Sequence, residues 1–132
     1  MGKAKILIID DDQDIRDSVQ VLLESQSYRV TTAANKEDGL AQVKGEKPDL
    51  IVLDVMMDGY SDGFELAREI KAAPELKDTL ILMMTAVTEK TGVEFKSSAG
   101  DSTWLPVDGF VDKPVEPNVL LIEIEKLLKE KS

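Results

Sequence analysis

Apolar residues occur along this chain in short runs that alternate with longer segments of helical periodicity. A run of aliphatic residues without polar alternation predicts a strand that is buried on both faces of a sheet. Four of the five predicted strands are followed by a polar residue or a proline, which marks the end of the strand. The predicted strands are Ile6–Ile9, Tyr28–Ala33, Leu50–Leu53, Leu80–Met84 and Gly109–Lys113.

The segments between these strands place apolar residues three and four positions apart, which is the spacing of one helix face. The pattern is strongest at the end of the chain, from about Glu116 to Lys129. Between the fourth and fifth strands the composition is poor for a helix, so we predict only a short or irregular one, at Thr88–Phe95. The other predicted helices begin near Asp14, run from Lys36 to about Lys44, and run from Phe64 to near Pro74.

Buried strands separated by helices predict an α/β fold, a doubly wound five-stranded parallel sheet with helices on both faces. A length of 132 residues fits one domain. The sequence has no internal repeat, low-complexity segment or linker. We therefore expect a single domain over residues 1–132.

The chain is strongly acidic, with 26 acidic and 16 basic residues and a formal net charge of −10. This charge predicts no direct binding to nucleic acid or to anionic membranes. The absence of cysteine and histidine excludes thiolate and imidazole chemistry. Because no apolar run approaches the roughly 18 residues of a membrane span, and no signal sequence is present, we expect a cytoplasmic protein.

Reactive side chains follow the predicted strands. Asp10 and Asp11 follow the first strand, Asp54 the third and Thr85 the fourth, while Lys113 ends the fifth. In doubly wound sheets, ligands bind outside the carboxyl ends of the strands. We therefore predict one site that combines carboxylates, a hydroxyl and an ammonium group.

Clustered carboxylates repel each other, by on the order of 4 kcal/mol per pair at about 4 Å and an effective dielectric constant of ~20. Such a cluster is tolerable only if the carboxylates are protonated, separated or neutralised by a cation. As cations, hard oxygen ligands select Mg²⁺ or Mn²⁺. A carboxylate beside such an ion and a lysine can act as a nucleophile toward a phosphoryl group.

These residues, in this order and each behind an apolar strand, resemble the receiver domain of two-component response regulators. The resemblance covers essentially the whole chain and implies the flavodoxin-like (βα)5 receiver fold. It implies that Asp54 is the phosphoacceptor, and that Asp10 and Asp11 hold Mg²⁺ together with Asp54 and the backbone carbonyl of Met56. It further implies that Thr85 and Lys113 contact the phosphoryl oxygens.

The same resemblance implies that Thr85 and Phe110 form the conformational switch. It gives a sensor histidine kinase or a phosphotransfer protein as the phosphoryl donor, and an output protein that the sequence does not identify. A receiver of this kind catalyses only its own phosphorylation and dephosphorylation. The chain ends at Ser132, soon after the last helix, which leaves either a stand-alone receiver or a piece of a longer regulator.

The sequence departs from the family pattern in two places. Asp58 stands where the family usually has proline, and Gly63 follows the phosphoacceptor by nine positions instead of the usual eight. About six extra residues, Ser102–Val107, precede the fifth strand. We therefore predict a remodelled fourth helix, and a partner-binding surface that differs from that of other receivers.

Three other interpretations remain. In the first, Asp10–Asp12 cap a helix, Lys113 is an ordinary solvated lysine, and Phe110 is a core residue without a switching role. Asp12 in particular is interpreted as structural. The spacing Asp10-x-Asp12 would also suit a small Mg²⁺-dependent phosphohydrolase with an aspartate nucleophile. The altered loops would suit a pseudo-receiver, an interaction module that works without phosphorylation.

Overall fold

The computed structural model describes residues 4–54, 62–76, 78–85, 108–112 and 116–131. Within these ranges strands and helices follow one another in the order that the apolar pattern predicts. The helices are numbered as they occur in the described part of the chain. The elements are β1 (Lys5–Ile9), α1 (Gln13–Glu24), β2 (Arg29–Ala33), α2 (Lys36–Glu46), β3 (Leu50–Asp54), α3 (Asp62–Ala72), β4 (Leu80–Thr85), β5 (Gly109–Asp112) and α4 (Pro117–Lys131).

The strands form one sheet in the order β2-β1-β3-β4-β5, and every neighbouring pair is parallel. The strand order reverses direction at β1, so β1 and β3 flank the switch point of the winding. The last residue of β1, Ile9, lies beside Ala33 of β2 and Leu53 of β3. The α/β parallel sheet predicted from the sequence is confirmed.

Side chains that alternate along each strand pack into two separate cores, one on each face of the sheet. Leu7 and Ile9 belong to the core that includes α2 and α3, whereas Ile6 and Ile8 belong to the core that includes α1 and α4. All four are at most 1% exposed. Because both faces are covered, the inner strands β1 and β3 carry apolar residues at nearly every position, and burial of each such side chain contributes roughly 1.5–3 kcal/mol.

Helix α2 packs closely against β1 at Gly39, where a larger residue would require the Ile9 side chain to shift. A Cβ atom built on Gly39 would lie 2.8 Å from Cδ1 of Ile9, closer than real Cβ contacts. The helix ends two residues later than the sequence predicted, at Glu46, and Lys47 closes it in the left-handed conformation with φ of 49°. The cap is therefore a lysine and not the nearby Gly45, which is why the sequence placed the end too early.

Several other predicted boundaries differ from the structure by one or two residues. The second strand begins at Arg29 because the backbone N–H of Tyr28 donates to the carbonyl of Leu23, 3.2 Å away, and closes the turn after α1. The fifth strand ends at Asp112. The helix predicted at Thr88–Phe95 and its remodelling lie outside the described residues, as does the lengthened loop after the third strand.

Candidate functional site

Three aspartates come together at the carboxyl edge of the sheet. Asp10 follows β1 directly and Asp54 is the last residue of β3, and the pairing of Ile9 with Leu53 brings the two side by side. One carboxylate oxygen of each, together with one of Asp11, lie within 4.8 Å of one another. Asp10 and Asp54 are 0% and 2% exposed, whereas Asp11 is exposed to solvent. The sequence therefore predicted this cluster correctly.

The turn between β1 and α1 holds the first two of these aspartates through a set of backbone contacts. The N–H of Asp10 donates to the carbonyl of Ala33 at 3.1 Å. The N–H of Asp12 donates to Oδ1 of Asp10 at 2.9 Å. Oδ1 of Asp12 in turn accepts from the N–H groups of Asp14 and Ile15, at 2.9 and 3.3 Å. Asp12 is thus the N-cap of α1 and satisfies donors that the first helical turn leaves unpaired.

Arg16 also contacts this turn, and the sequence does not predict this contact. Its guanidinium Nη1 donates to the backbone carbonyl of Asp10 at 2.8 Å, in a partly buried position. The only sequence signal is a basic residue within the first two turns of a helix that follows acidic residues, and this pattern does not specify a backbone acceptor.

The chemistry of the cluster fits a hard divalent cation. Its donors are all carboxylate oxygens, two of the three groups are withdrawn from water, and the third faces solvent, where an ion would enter. Repulsion among three charges at this separation is on the order of 3 kcal/mol per pair at an effective dielectric constant of about 20. Among the residues that the structure describes, these are the acidic side chains grouped closely enough to share an ion.

The remaining predicted site residues are described only in part. Thr85 ends β4 and pairs with Asp112, one position beyond the pairing of Asp54 with Met84, so its backbone lies at the same edge of the sheet. Phe110 lies in β5 beside Met83. The predicted Lys113 and the predicted carbonyl ligand Met56 lie outside the described residues.

A comparison with known protein families identifies the class of this fold and site. The model of the response regulator receiver domain matches residues 6–125. The chain belongs to this family, that of the receivers of two-component response regulators, whose members act in signalling rather than as enzymes on small substrates.

Curated relatives agree with this assignment. The transcriptional regulatory protein AfsQ1 of Streptomyces coelicolor is 39% identical over 124 residues, which is 94% of this chain and 51% of that protein. The phosphate regulon transcriptional regulatory protein PhoB of Pseudomonas aeruginosa is 35% identical over 129 residues, 98% of this chain and 53% of that protein. The chain thus spans about half the length of the curated relatives it matches.

Solved structures agree as well. The chemotaxis protein CheY4 of Vibrio cholerae superimposes with a TM-score of 0.81 at 31% identity, covering 95% of this chain and 98% of that one. A CheY-like receiver domain protein of Methanospirillum hungatei gives a TM-score of 0.80 at 30% identity, covering 97% and 95%. In the part of the chain that the structure describes, none of the helices is both long enough and apolar enough to span a membrane.

Proposed function

We propose that this receiver accepts a phosphoryl group on Asp54 in a reaction that depends on Mg²⁺, with Mn²⁺ as a substitute. The observation that supports the proposal is the cluster of three carboxylates at the switch point of the sheet, with the Asp54 side chain 2% exposed. Repulsion within the cluster favours a bound divalent cation, and carboxylate oxygens are the ligands that the Mg²⁺ of phosphoryl-transfer sites prefers.

In the proposed reaction an Asp54 carboxylate oxygen attacks the phosphorus atom of the donor. The new bond joins that oxygen to phosphorus, while the bond from phosphorus to the donor's leaving atom breaks and its electron pair stays with the donor. Asp10, Asp11, Asp54 and the carbonyl of Met56 are the proposed ligands of the ion. The ion supplies positive charge against the phosphoryl oxygens as charge develops on them.

Thr85 and Lys113 have proposed roles on the product side of the reaction. The hydroxyl of Thr85 donates a hydrogen bond to one phosphoryl oxygen, and the ammonium of Lys113 neutralises another. Reorientation of Thr85 and Phe110 then changes the population of an active surface around the fifth strand and the last helix. The position of the Thr85 backbone at the same sheet edge as Asp54 supports this assignment.

The proposed donor is the phosphohistidine of a sensor kinase or of a phosphotransfer protein. The matched relatives are named transcriptional regulatory proteins, and this chain spans about half their length. An output through gene regulation, in this polypeptide or through a partner, is therefore part of the proposal. Four statements stay predictions. They are a single domain over residues 1–132, the absence of direct nucleic-acid contact, self-catalysed dephosphorylation and a cytoplasmic location.

The test is the intact mass of the protein after incubation with acetyl phosphate and Mg²⁺. We expect a gain of one phosphoryl group that is lost on addition of a chelator and lost in Asp54→Asn. Asp78→Asn is the matched control, because Asp78 is an exposed acid just before the opposite, amino end of β4 and its replacement removes the same charge.

Two results would contradict the proposal. Phosphorylation that persists in Asp54→Asn would place the acceptor elsewhere. No gain in mass, with Mg²⁺ still bound, would favour the pseudo-receiver. Turnover of a small phosphate ester that disappears in Asp10→Asn but survives in Asp54→Asn would instead favour the phosphohydrolase.

A further inference from the structure

Asp10 is held from several directions through its backbone and its side chain, and Arg16 supplies one of these contacts. Its N–H donates to Ala33 of β2, and its carbonyl accepts from Nη1 of Arg16, at 3.1 and 2.8 Å. Its carboxylate accepts from the N–H of Asp12 at 2.9 Å. Arg16 itself lies in α1, whose start is fixed by the cap at Asp12. The turn that carries Asp10 and Asp11 is therefore tied to the sheet on one side and to the helix on the other.

The Arg16 contact joins helix α1 to the turn that precedes it. The chain leaves β1 at Ile9 and enters α1 at Gln13, and the Arg16 guanidinium donates to the carbonyl of Asp10, which lies between these two elements. A carbonyl left without a donor in a partly buried turn destabilises the fold, because no hydrogen bond offsets its removal from water. A turn free to rotate this peptide would also move the attached carboxylate, and with it the arrangement of the three oxygens.

The charge of Arg16 makes its role open to a decisive test. A cation close to the acidic cluster repels a second cation, so a purely electrostatic view predicts that removal of Arg16 strengthens binding of Mg²⁺. A positioning role predicts the opposite, because the loss of the contact loosens the ligands. The sign of the change in affinity therefore separates the two effects.

We propose that Arg16 is a positioning residue of the acidic site, which fixes the Asp10 peptide so that the Asp10 and Asp11 carboxylates are arranged for a divalent cation before the ion binds. The inference rests on the proposed function, because it takes Mg²⁺ to be the ion of the site. Arg16 acts through the backbone of Asp10 and is not itself a ligand or a group that contacts the phosphoryl oxygens.

The experiment measures the dissociation constant of Mg²⁺ by calorimetry, and that of Mn²⁺ by electron paramagnetic resonance, in the unphosphorylated protein at fixed ionic strength. The variants are Arg16→Met, which keeps the length without donor or charge, and Arg16→Lys, which keeps both charge and a donor. Arg29→Met is the matched control, since Arg29 begins β2 at the amino edge of the sheet, is exposed, and carries the same charge.

We expect about a tenfold weaker affinity for Mg²⁺ in Arg16→Met, as for other residues that orient metal ligands. Arg16→Lys should recover part of the loss, and Arg29→Met should bind as the wild type does or slightly more tightly. The free energy of unfolding is measured for each variant with chelator present. If Arg16→Met fails to fold, the comparison of Arg16→Lys with the wild type decides, with weaker binding expected for lysine.

An unchanged or tighter affinity in Arg16→Met would overturn the inference while leaving the proposed function intact. So would a variant that loses stability with chelator but keeps the wild-type dissociation constant, because Arg16 would then be structural only. A wild-type protein that binds neither Mg²⁺ nor Mn²⁺ would overturn the proposed function, and this inference with it.

Discussion

At the scale of single residues, the fold alters the titration of Tyr28. The side chain lies in the core beneath α1 and α4 and is 5% exposed. Burial, followed by the negative charge of Glu125, raises the pKa of its hydroxyl above the ordinary value of 10.0. Both causes act in the same direction, because each disfavours the charged phenolate.

This shift predicts how stability depends on alkaline pH. Above pH 10.0 the unfolded chain loses the Tyr28 proton while the folded protein retains it, so the folded state binds more protons and its stability falls as pH rises. The contribution is fully present below that pH. We expect the free energy of unfolding in urea to fall less steeply above pH 10.0 in Tyr28→Phe than in the wild type. Identical slopes for the two proteins would contradict the assignment.

The site shows which residues a sequence can and cannot predict. Asp10, Asp11 and Asp54 were predictable because each follows an apolar run, and parallel strands bring such ends to one edge of the sheet. Arg16 was not predictable, because its acceptor is a backbone carbonyl in a turn whose geometry exists only after folding. The roles of Thr85 and Lys113 rest on the family resemblance and stay predictions.

At the scale of elements, Asp108 fastens the starts of β4 and β5 to helix α3. Its Oδ2 accepts from the N–H of Ile81 at 2.8 Å and from Nζ of Lys71 at 2.9 Å. The same ammonium donates to the carbonyl of Thr79 at 2.8 Å. The Asp108 carboxylate thus accepts the hydrogen bond from Ile81 that a backbone carbonyl of a neighbouring strand would otherwise accept, just before β5 begins at Gly109. The sequence did not indicate this network, since its partners lie up to 37 residues apart and none of them has a local signature.

Two variants separate the parts of this network. Asp108→Ala leaves the N–H of Ile81, a fully buried residue, without that acceptor, and we expect a loss of about 2–3 kcal/mol in the free energy of unfolding. Asp108→Asn keeps an acceptor oxygen but removes the charge, so the loss should be about 1 kcal/mol or less, the usual value of a partly exposed ion pair. Denaturation in urea measures both. Equal losses would show that the backbone contact contributes nothing.

Secondary structure was predictable where burial dictates the pattern and less so at the ends of elements. The apolar strands were recognisable because both faces of the sheet are covered. The end of α2 was placed too early because Lys47, and not a glycine, adopts the left-handed conformation there. The difference is one of capping, which depends on a single backbone angle and not on periodicity.

At the scale of the whole molecule, negative charge is the dominant long-range feature. The formal net charge is −10, and three carboxylates meet at one edge of the sheet. Repulsion of this kind lowers the stability of the ion-free protein, and a bound divalent ion offsets it. Because an ion that binds only the folded state stabilises it by mass action, the site and global stability should be linked.

We therefore expect Mg²⁺ to raise the free energy of unfolding, by about 2.7 kcal/mol at a concentration one hundred times its dissociation constant. Sodium chloride at equal ionic strength serves as the control for general screening. Asp11→Asn should remove most of the Mg²⁺ effect, whereas Asp78→Asn, on the far side of the sheet, should keep it. Equal stabilisation by both salts would indicate screening alone. Chemical denaturation with each salt measures the difference.

The register of β1 against β3 determines which molecules have an assembled acidic site. Asp10 and Asp54 are 44 positions apart in sequence and meet only because Ile9 pairs with Leu53. Side chains alternate between faces along a strand, so a slip of one residue would turn Asp54 away from its partners. A misfolded or half-synthesised copy therefore lacks the assembled acceptor. If Asp54 is the acceptor, its phosphorylation requires the native register of β1 and β3. Only correctly folded molecules can then be phosphorylated and transmit a signal.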